Sequence, residues 1–281
     1  MANIVSTNIE QGSAAMNNDG YRFKAVTMDI LINDMRFNKG TPAAGDSLPE
    51  FNLTSTSGER ITWQNFGGRP VLLTVGSITC PLTASSIPAL KRLCQEFGSE
   101  IEFVMVNVRE AHPAENLGQP ETFQEKLEHA RALKEQHAIP WTVVTDDLDG
   151  SFHRSLDTKP NSAYIVDRDG VIAFRSLFAT DERSLHEALT AIVTGKDLTR
   201  SQSQAMFRPM ARAIGYIQEV LGRAGPQAKR DMWRAGPPFV IAGLVAGLFS
   251  SLALEKRGAP AMALVAAMLV GGLSGIFFLL A

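Results

Sequence analysis

The feature that most constrains this chain is the uninterrupted apolar run Pro70-Val71-Leu72-Leu73-Thr74-Val75, with a helix-starting signature a few residues later. A segment with no polar face is a strand covered on both sides, at the centre of a sheet rather than its edge. The pattern around it alternates. A helix is predicted over Pro81 to Phe97, a second central strand over Ile101 to Val108, a helix over Phe123 to His137 and a strand over Trp141 to Thr145. A short helical stretch follows at Asp149 to Leu156. Ser162 to Val166 and Val171 to Arg175 then read as a hairpin about Arg168-Asp169-Gly170, and Leu185 to Val193 as a closing helix. Before the central run, Phe51-Asn52-Leu53 and Arg60-Ile61-Thr62-Trp63 flank a Ser57-Gly58 turn as short strands. Alternating strands and helices followed by a hairpin and a helix imply an α/β sandwich with a mixed sheet.

Charge is distributed unevenly. The 281 residues carry 27 Lys and Arg against 29 Asp and Glu, and this balance gives no basic excess of the kind nucleic acid attracts. From Gly236 to Ala281, however, the only charges are Glu255, Lys256 and Arg257. Pro238 to Leu254 is marginal for a membrane-crossing helix and Gly258 to Ala281 is long enough, since a crossing takes roughly 20 apolar residues. Glu255-Lys256-Arg257-Gly258-Ala259-Pro260 reads as the turn between them. Small residues every fourth position (Gly243, Gly247, Ser251; Ala263, Ala267, Gly271, Gly275) suit close helix approach in lipid. The expectation is a transmembrane hairpin over 236–281, with a buried helix pair as the alternative. Arg223, Lys229, Arg230 and Arg234 precede the hairpin, so the preceding domain is expected on the cytoplasmic side of the membrane. There Cys80 and Cys94 would stay reduced. Residues 1–44 are expected to be flexible or partly helical, with 1–20 disordered, no apolar signal core, and a short helix around Val26 to Met35. Residues 197–235 are expected to form a basic amphipathic connecting helix carrying Phe207, Met210, Ile214, Ile217 and Leu221. It would lie on anionic lipid or pack on the domain, with Pro209 in its first turn or kinking it.

Gly76-Ser77-Ile78-Thr79-Cys80-Pro81-Leu82-Thr83 carries the chemistry. A buried strand ends, a cysteine follows, and Pro81 opens a helix at the position where its missing N–H costs nothing. A sulfur at a helix N-terminus faces unpaired N–H groups and a partial positive charge, which favour the nucleophilic thiolate. No second cysteine stands three residues on, where Thr83 is found. Cys94 lies fourteen residues along the same helix, about 21 Å of rise and far beyond the ~7 Å reach of a disulfide. Cys80 is therefore expected to react alone, as a sulfenic acid or mixed disulfide resolved by an external thiol.

The strand–Cys–Pro–helix order, with Pro88 eight residues into the helix, resembles the thioredoxin fold. The segment Gly76 to Pro81 further resembles the active-site segment of the iodothyronine deiodinase family, with Cys80 where animal enzymes carry selenocysteine. Val108-Arg109-Glu110-Ala111-His112-Pro113 resembles that family's Glu-Ala-His-Pro segment, and Ala163 to Gly170 the hairpin of redoxins generally. The likeness covers roughly 45–196. It implies a thioredoxin-like mixed sheet flanked by helices, reductive chemistry at Cys80, Glu110 and His112 beside it, and an external reductant such as glutathione or a thioredoxin, with no bound cofactor or metal. His112 would shuttle a proton or stabilise the thiolate, or else serve as a turn residue. Ser77, Thr79, Pro81 and Thr83 would surround the sulfur, and Pro160 is the candidate for the cis-proline that faces the cysteine in thioredoxin folds.

Two further readings stay open. Ser77 stands three residues before Cys80, as a Thr or Ser does in peroxiredoxin-like peroxidases, although Leu73 replaces their proline. The activating arginine is missing from the Lys159-Pro160-Asn161 region, leaving Arg175 as a replacement cation. A non-catalytic redox sensor or interaction module is the other. Candidate partners are membrane lipid, a small-molecule or disulfide substrate, and a second copy of the chain. Asp146-Asp147-Leu148-Asp149-Gly150 lacks calcium-loop spacing and reads as a turn with Asp149 capping a helix.

Overall fold

The structure, a computed structural model, describes residues 20–280. The disordered stretch expected over 1–20 lies outside them except for Gly20. In chain order the elements are α1 (Met28–Asp34), β1 (Leu53–Ser55), β2 (Arg60–Ile61), β3 (Val71–Gly76), α2 (Pro81–Phe97), β4 (Glu102–Asn107), α3 (Phe123–Gln136) and β5 (Thr142–Thr145). They continue with α4 (Ser151–Leu156), β6 (Ala163–Val166), β7 (Ile172–Ser176), α5 (Glu182–Thr194), β8 (Gln202–Ser203), α6 (Phe207–Ile214), α7 (Ile217–Ala224), α8 (Pro226–Ala235), α9 (Pro237–Ala246) and α10 (Leu254–Leu280).

The strands form one mixed sheet in the order β2-β1-β5-β4-β3-β6-β7-β8. β3, β4 and β5 are parallel, and β6 returns antiparallel to β3. β3 is buried throughout, and its side chains divide by the two-residue period of a strand. Leu72 packs with Leu90, Leu93, Leu133 and Leu189 under α2, α3 and α5, while Val71, Leu73 and Val75 pack with Phe66, Phe152 and Leu156 on the other face. This is the thioredoxin-like mixed sheet flanked by helices that the sequence implied. The central strands lie within a residue of the expected bounds, and the larger departures are at the edge: β1 begins at Leu53, and after β2 the chain makes a helical turn over Trp63–Phe66.

The short helix expected around Val26 to Met35 is α1, which packs on α8, and Tyr21, Arg22 and Val26 before it are buried. Two expectations need correction. Residues 197–235 form no single amphipathic helix. They supply β8, parallel to β7, and then three short helices, with Pro209 in the first turn of α6. Glycines stand at both junctions between these helices. At Gly215 an added Cβ would lie 1.9 Å from the Leu254 carbonyl oxygen, and Gly225 sits at φ 134°, where side chains are strained. These helices join α9 and the start of α10 in an apolar cluster of their own, around Ile217, Leu221, Met232, Val240 and Ala261.

The second correction concerns the turn of the hairpin. Glu255 to Pro260 is not the turn but the first part of α10; the chain reverses over residues 250–253. Among the described residues no single helix is long and apolar enough to cross a membrane. Pro237–Phe249 and Leu254–Met268 qualify only together, bent by 114°. Gly243 packs on Ile217 of α7, and Gly247 meets no neighbour, so these two do not form a seam against α10.

Candidate active site

Cys80 lies where β3 hands over to α2, as the N-cap residue, with Pro81 at the first helical position. The loop that holds it is fully used by hydrogen bonds. Cys80 N donates to the Ser77 carbonyl (3.2 Å), and Ser77 N donates to Thr83 Oγ1 (3.2 Å). Gly76 is required here because a Cβ would lie 2.6 Å from Thr83 Cγ2. The segment after the neighbouring parallel strand β4 is stitched to this loop. Ala111 N donates to Ser77 Oγ (3.2 Å), and His112 N donates to Thr79 Oγ1 (3.1 Å). Glu110 Oε2 accepts from Thr79 Oγ1 (2.6 Å) and Thr79 N (3.1 Å). The sequence-chosen residues Ser77, Thr79, Cys80, Pro81, Thr83, Glu110 and His112 thus converge at the carboxyl ends of two adjacent parallel strands, where open α/β sheets place their sites.

Glu110 is not a solvated strand-end carboxylate. It is completely buried, and its second oxygen lies 2.9 Å from His129 Nδ1 on α3. Burial would push His129 down, but the hydrogen bond and charge of Glu110 outweigh it and hold the imidazole above its ordinary value. Removing one partner of a buried charged pair typically costs about 3–5 kcal/mol. Glu110→Ala is therefore expected to lower stability by about that amount and loosen the Thr79–Cys80 loop. Urea unfolding checks the first effect, and an unchanged midpoint would contradict it.

The sulfur itself departs from expectation. Cys80 is 2% exposed, and burial holds its thiol above the ordinary value. Hydrogen bonds from Thr83 and Leu82 at the helix start pull the other way but are outweighed, and the Asp34 charge adds to the rise. The helix N-terminus is present as predicted; the thiolate it was expected to favour is not, because the site is closed. His112 is 8% exposed with no partner for Nδ1, and burial followed by the nearby Arg109 charge pushes it down to about 4. At neutral pH it is an uncharged base. Alkylation of Cys80, followed by peptide mass spectrometry, should keep climbing beyond pH of about 8.5, the ordinary thiol range. At neutral pH it should lag behind that of half-buried Cys94. A plateau for Cys80 near pH 7 would contradict this.

Cys80 and His112 share an apolar cavity of about 70 Å³ with Pro160, Asp34, Met232 and Phe239. It is smaller than the ~150 Å³ cavity known to accept benzene. The roof is built by α1 and α6 to α9, none of which the sequence placed over the sulfur. Pro160 is in the cavity wall but is not a cis-proline; no cis peptide bond occurs among the described residues. Arg175 is no replacement cation: it bonds Gln202, Thr41 and the Pro42 carbonyl and lies over the Phe37 ring. In the Asp146–Asp149 turn, Asp146 accepts from Phe152 N and His153 N, and Asp147 accepts from Ser151 N, so these two carboxylates cap α4. No cluster of His, Cys, Asp and Glu able to hold a metal occurs among the described residues.

Sequence reading missed Asp34 and His129. Asp34 faces the cavity from α1, where burial raises its carboxyl to about 6 against the Arg109 and Lys159 charges. His129 had a usable signal: it shares the inward face of α3 with Lys126, Ala130 and Leu133 at helical spacing, so a polar partner inside the fold was implied.

Residues 16–187 match the family described as iodothyronine deiodinase. The type II iodothyronine deiodinase of Aquarana catesbeiana is 26% identical over 155 residues, covering 51% of this chain and 54% of that protein. The thioredoxin-like protein YneN of Bacillus subtilis is 25% identical over 128 residues, covering 46% of this chain and 68% of YneN. The chain thus spans about half the length of the frog relative. A solved structure, a hypothetical protein from Sinorhizobium meliloti, aligns with a TM-score of 0.49 at 18% identity, covering 59% of this chain and 93% of that one.

Proposed function

The chain belongs to the iodothyronine deiodinase family, and from that premise we propose that it is a thiol-dependent reductase in which Cys80 is the single reacting sulfur. One observation carries this reading: Cys80 and His112, whose Nδ1 has no partner, line the same cavity, beside a loop tied by Thr79, Glu110 and His129. These hydrogen bonds hold the backbone on either side of the sulfur, and His112 is the neighbouring proton acceptor.

The reaction is a reductive cleavage of a substrate R–X, with X a halogen or a sulfur. Once opening relieves the burial that lowers His112 and raises Cys80, His112 takes the Cys80 proton. The sulfur attacks X, the R–X electron pair leaves with R, and R takes a proton. An external thiol then displaces X from the enzyme sulfur as HX and leaves a mixed disulfide. A second thiol releases Cys80 as its thiol. In sum, R–X and two thiols give R–H, HX and one disulfide. The distance to Cys94 along α2 leaves the external thiol, glutathione or a thioredoxin, as the resolving group. The bent apolar pair α9 and α10 holds the domain at a membrane, with the basic residues before it favouring the cytoplasmic side.

No Lys or Arg borders the cavity among the described residues, which weighs against the peroxidase alternative. The test is glutathione oxidation by the full chain, supplied in turn with an iodophenol, a small disulfide and hydrogen peroxide. Turnover with either of the first two supports the proposal. Turnover with peroxide alone makes the protein a peroxidase, and oxidation of one equivalent without turnover makes it a sensor.

A further inference from the structure

The helices that roof the Cys80 cavity also carry the most apolar exposed surface of the described chain. In α8, Met232 faces the cavity while the next residue, Trp233, is 48% exposed. In α9, Val240, Ala242, Gly243 and Ala246 turn inward, and Ile241 and Leu244 turn out, continued by Leu248 at 73% exposure. Between α7, α8 and α9 runs an open groove of about 320 Å³, lined by Leu221, Trp233, Val240 and Leu244 and edged by Lys229 and Arg230. Leu221 also lines the Cys80 cavity. Leu221 is thus common to the walls of the outer groove and of the chamber that holds the sulfur.

An exposed apolar strip edged by cations marks a surface made for another phase. Lys229 and Arg234 complement anionic headgroups and would repel the same edge of a second copy, while Arg230 is paired with Glu115 at 3.0 Å. We propose that this outer face of the cap lies in the headgroup layer of an anionic bilayer, with a lipid chain in the groove, and that the Cys80 cavity fills from that side past Leu221. The substrate class is then an apolar molecule dissolved in the membrane rather than in water. This rests on the reading of Cys80 as the reacting sulfur and adds the direction from which the substrate comes.

The experiment uses the full chain reconstituted into vesicles of phosphatidylcholine, with or without phosphatidylglycerol. Brominated lipid should quench Trp233, with Trp233→Phe supplying the background from Trp63 and Trp141. Quenching should be stronger with phosphatidylglycerol and should fall in Lys229→Glu/Arg234→Glu, since each cation near such a surface strengthens binding about fivefold. In the same vesicles a long-chain maleimide should modify Cys80 at least about tenfold faster than a sulfonated one, the gain that burying two methylenes gives. Cys94 serves as internal reference, and Leu244→Asp/Leu248→Asp should abolish the preference.

Unquenched Trp233 overturns the proposal, and a concentration-dependent dimer in that case assigns the surface to a second copy. Equal rates for the two maleimides overturn entry from the bilayer and leave the reductase reading intact if glutathione turnover persists. Quenching and selective labelling without turnover on any substrate do the reverse: the membrane-facing cavity stands and the reductase reading falls.

Discussion

Cys80→Ser should abolish thiol-dependent turnover, lowering it by at least about a thousandfold, whereas Cys94→Ser should leave it within about twofold. The contrast follows from position on one helix. Cys80 caps α2 and borders the cavity with His112. Cys94 lies more than three turns further along, half-buried against the core, and Pro88 between them does not fold the helix back. A serine hydroxyl fits the same space but is a far weaker nucleophile and cannot form the mixed disulfide that the second thiol must cleave. Initial rates of glutathione oxidation measure the loss. Trapping a glutathione adduct on the Cys80 peptide in the wild type identifies the intermediate. Equal losses in the two variants would show that both sulfurs take part, and the single-cysteine scheme would fail.

The closed state places a condition on that chemistry. A sulfur 2% exposed, beside a cavity too small for an aromatic ring, cannot meet a substrate without movement of the roof. Opening would also admit water or substrate dipoles, relieve the burial that now raises the Cys80 thiol, and leave the amides at the start of α2 to lower it. Exposure and activation are then one event, because the same desolvation that keeps the thiol protonated is removed when the cavity opens. The helix N-terminus read from Cys80-Pro81 is real, but its effect on the sulfur depends on what covers it.

That dependence also explains which parts of the protein were legible in advance. The run Val71 to Val75 announced a central strand because strand period and burial are local properties, and α2 was bounded at Pro81 and Phe97 by proline and apolar spacing. Thr79, Glu110 and His112 were found through a motif and then proved to be hydrogen-bonded to one another or to the same threonine. The roof was not legible, because it is assembled from segments far apart in sequence. α1 precedes the sheet and α6 to α10 follow it, and the apolar faces of Ile214, Ile217 and Leu221 look alike whether they meet lipid or protein. The turn of the hairpin was misplaced for a related reason. Glu255 to Pro260 has the composition of a turn, yet Glu255 pairs with Arg92 of α2 and the segment stays helical against α6.

Gly258→Ala should release the roof and expose the sulfur. Gly258 lies within α10, and a Cβ there would fall 1.7 Å from the Ala211 carbonyl oxygen and 3.0 Å from Ile214 Cβ, both on α6. Gly215 makes the reciprocal approach, 1.9 Å from the Leu254 carbonyl oxygen. Backbone atoms cannot rotate aside as a side-chain tip can, so either substitution must drive α10 away from α6. Overpacking of this kind costs about 1–3 kcal/mol where side chains can adjust, and the backbone contacts here put the cost at the top of that range or above it. α6 carries Met210, Ala213 and Ile214 into the cavity wall, so the displaced helix opens the Cys80 chamber while the sheet, whose core lies elsewhere, keeps its packing. The expected result is faster alkylation of Cys80, unchanged alkylation of Cys94, and loss of the cap at lower urea than the sheet. Gly247→Ala is the matched control: its φ of −61° suits alanine and nothing lies within 4 Å, so stability should hold or rise slightly. If Gly258→Ala behaved like Gly247→Ala, α10 would not be the element that clamps the roof over Cys80.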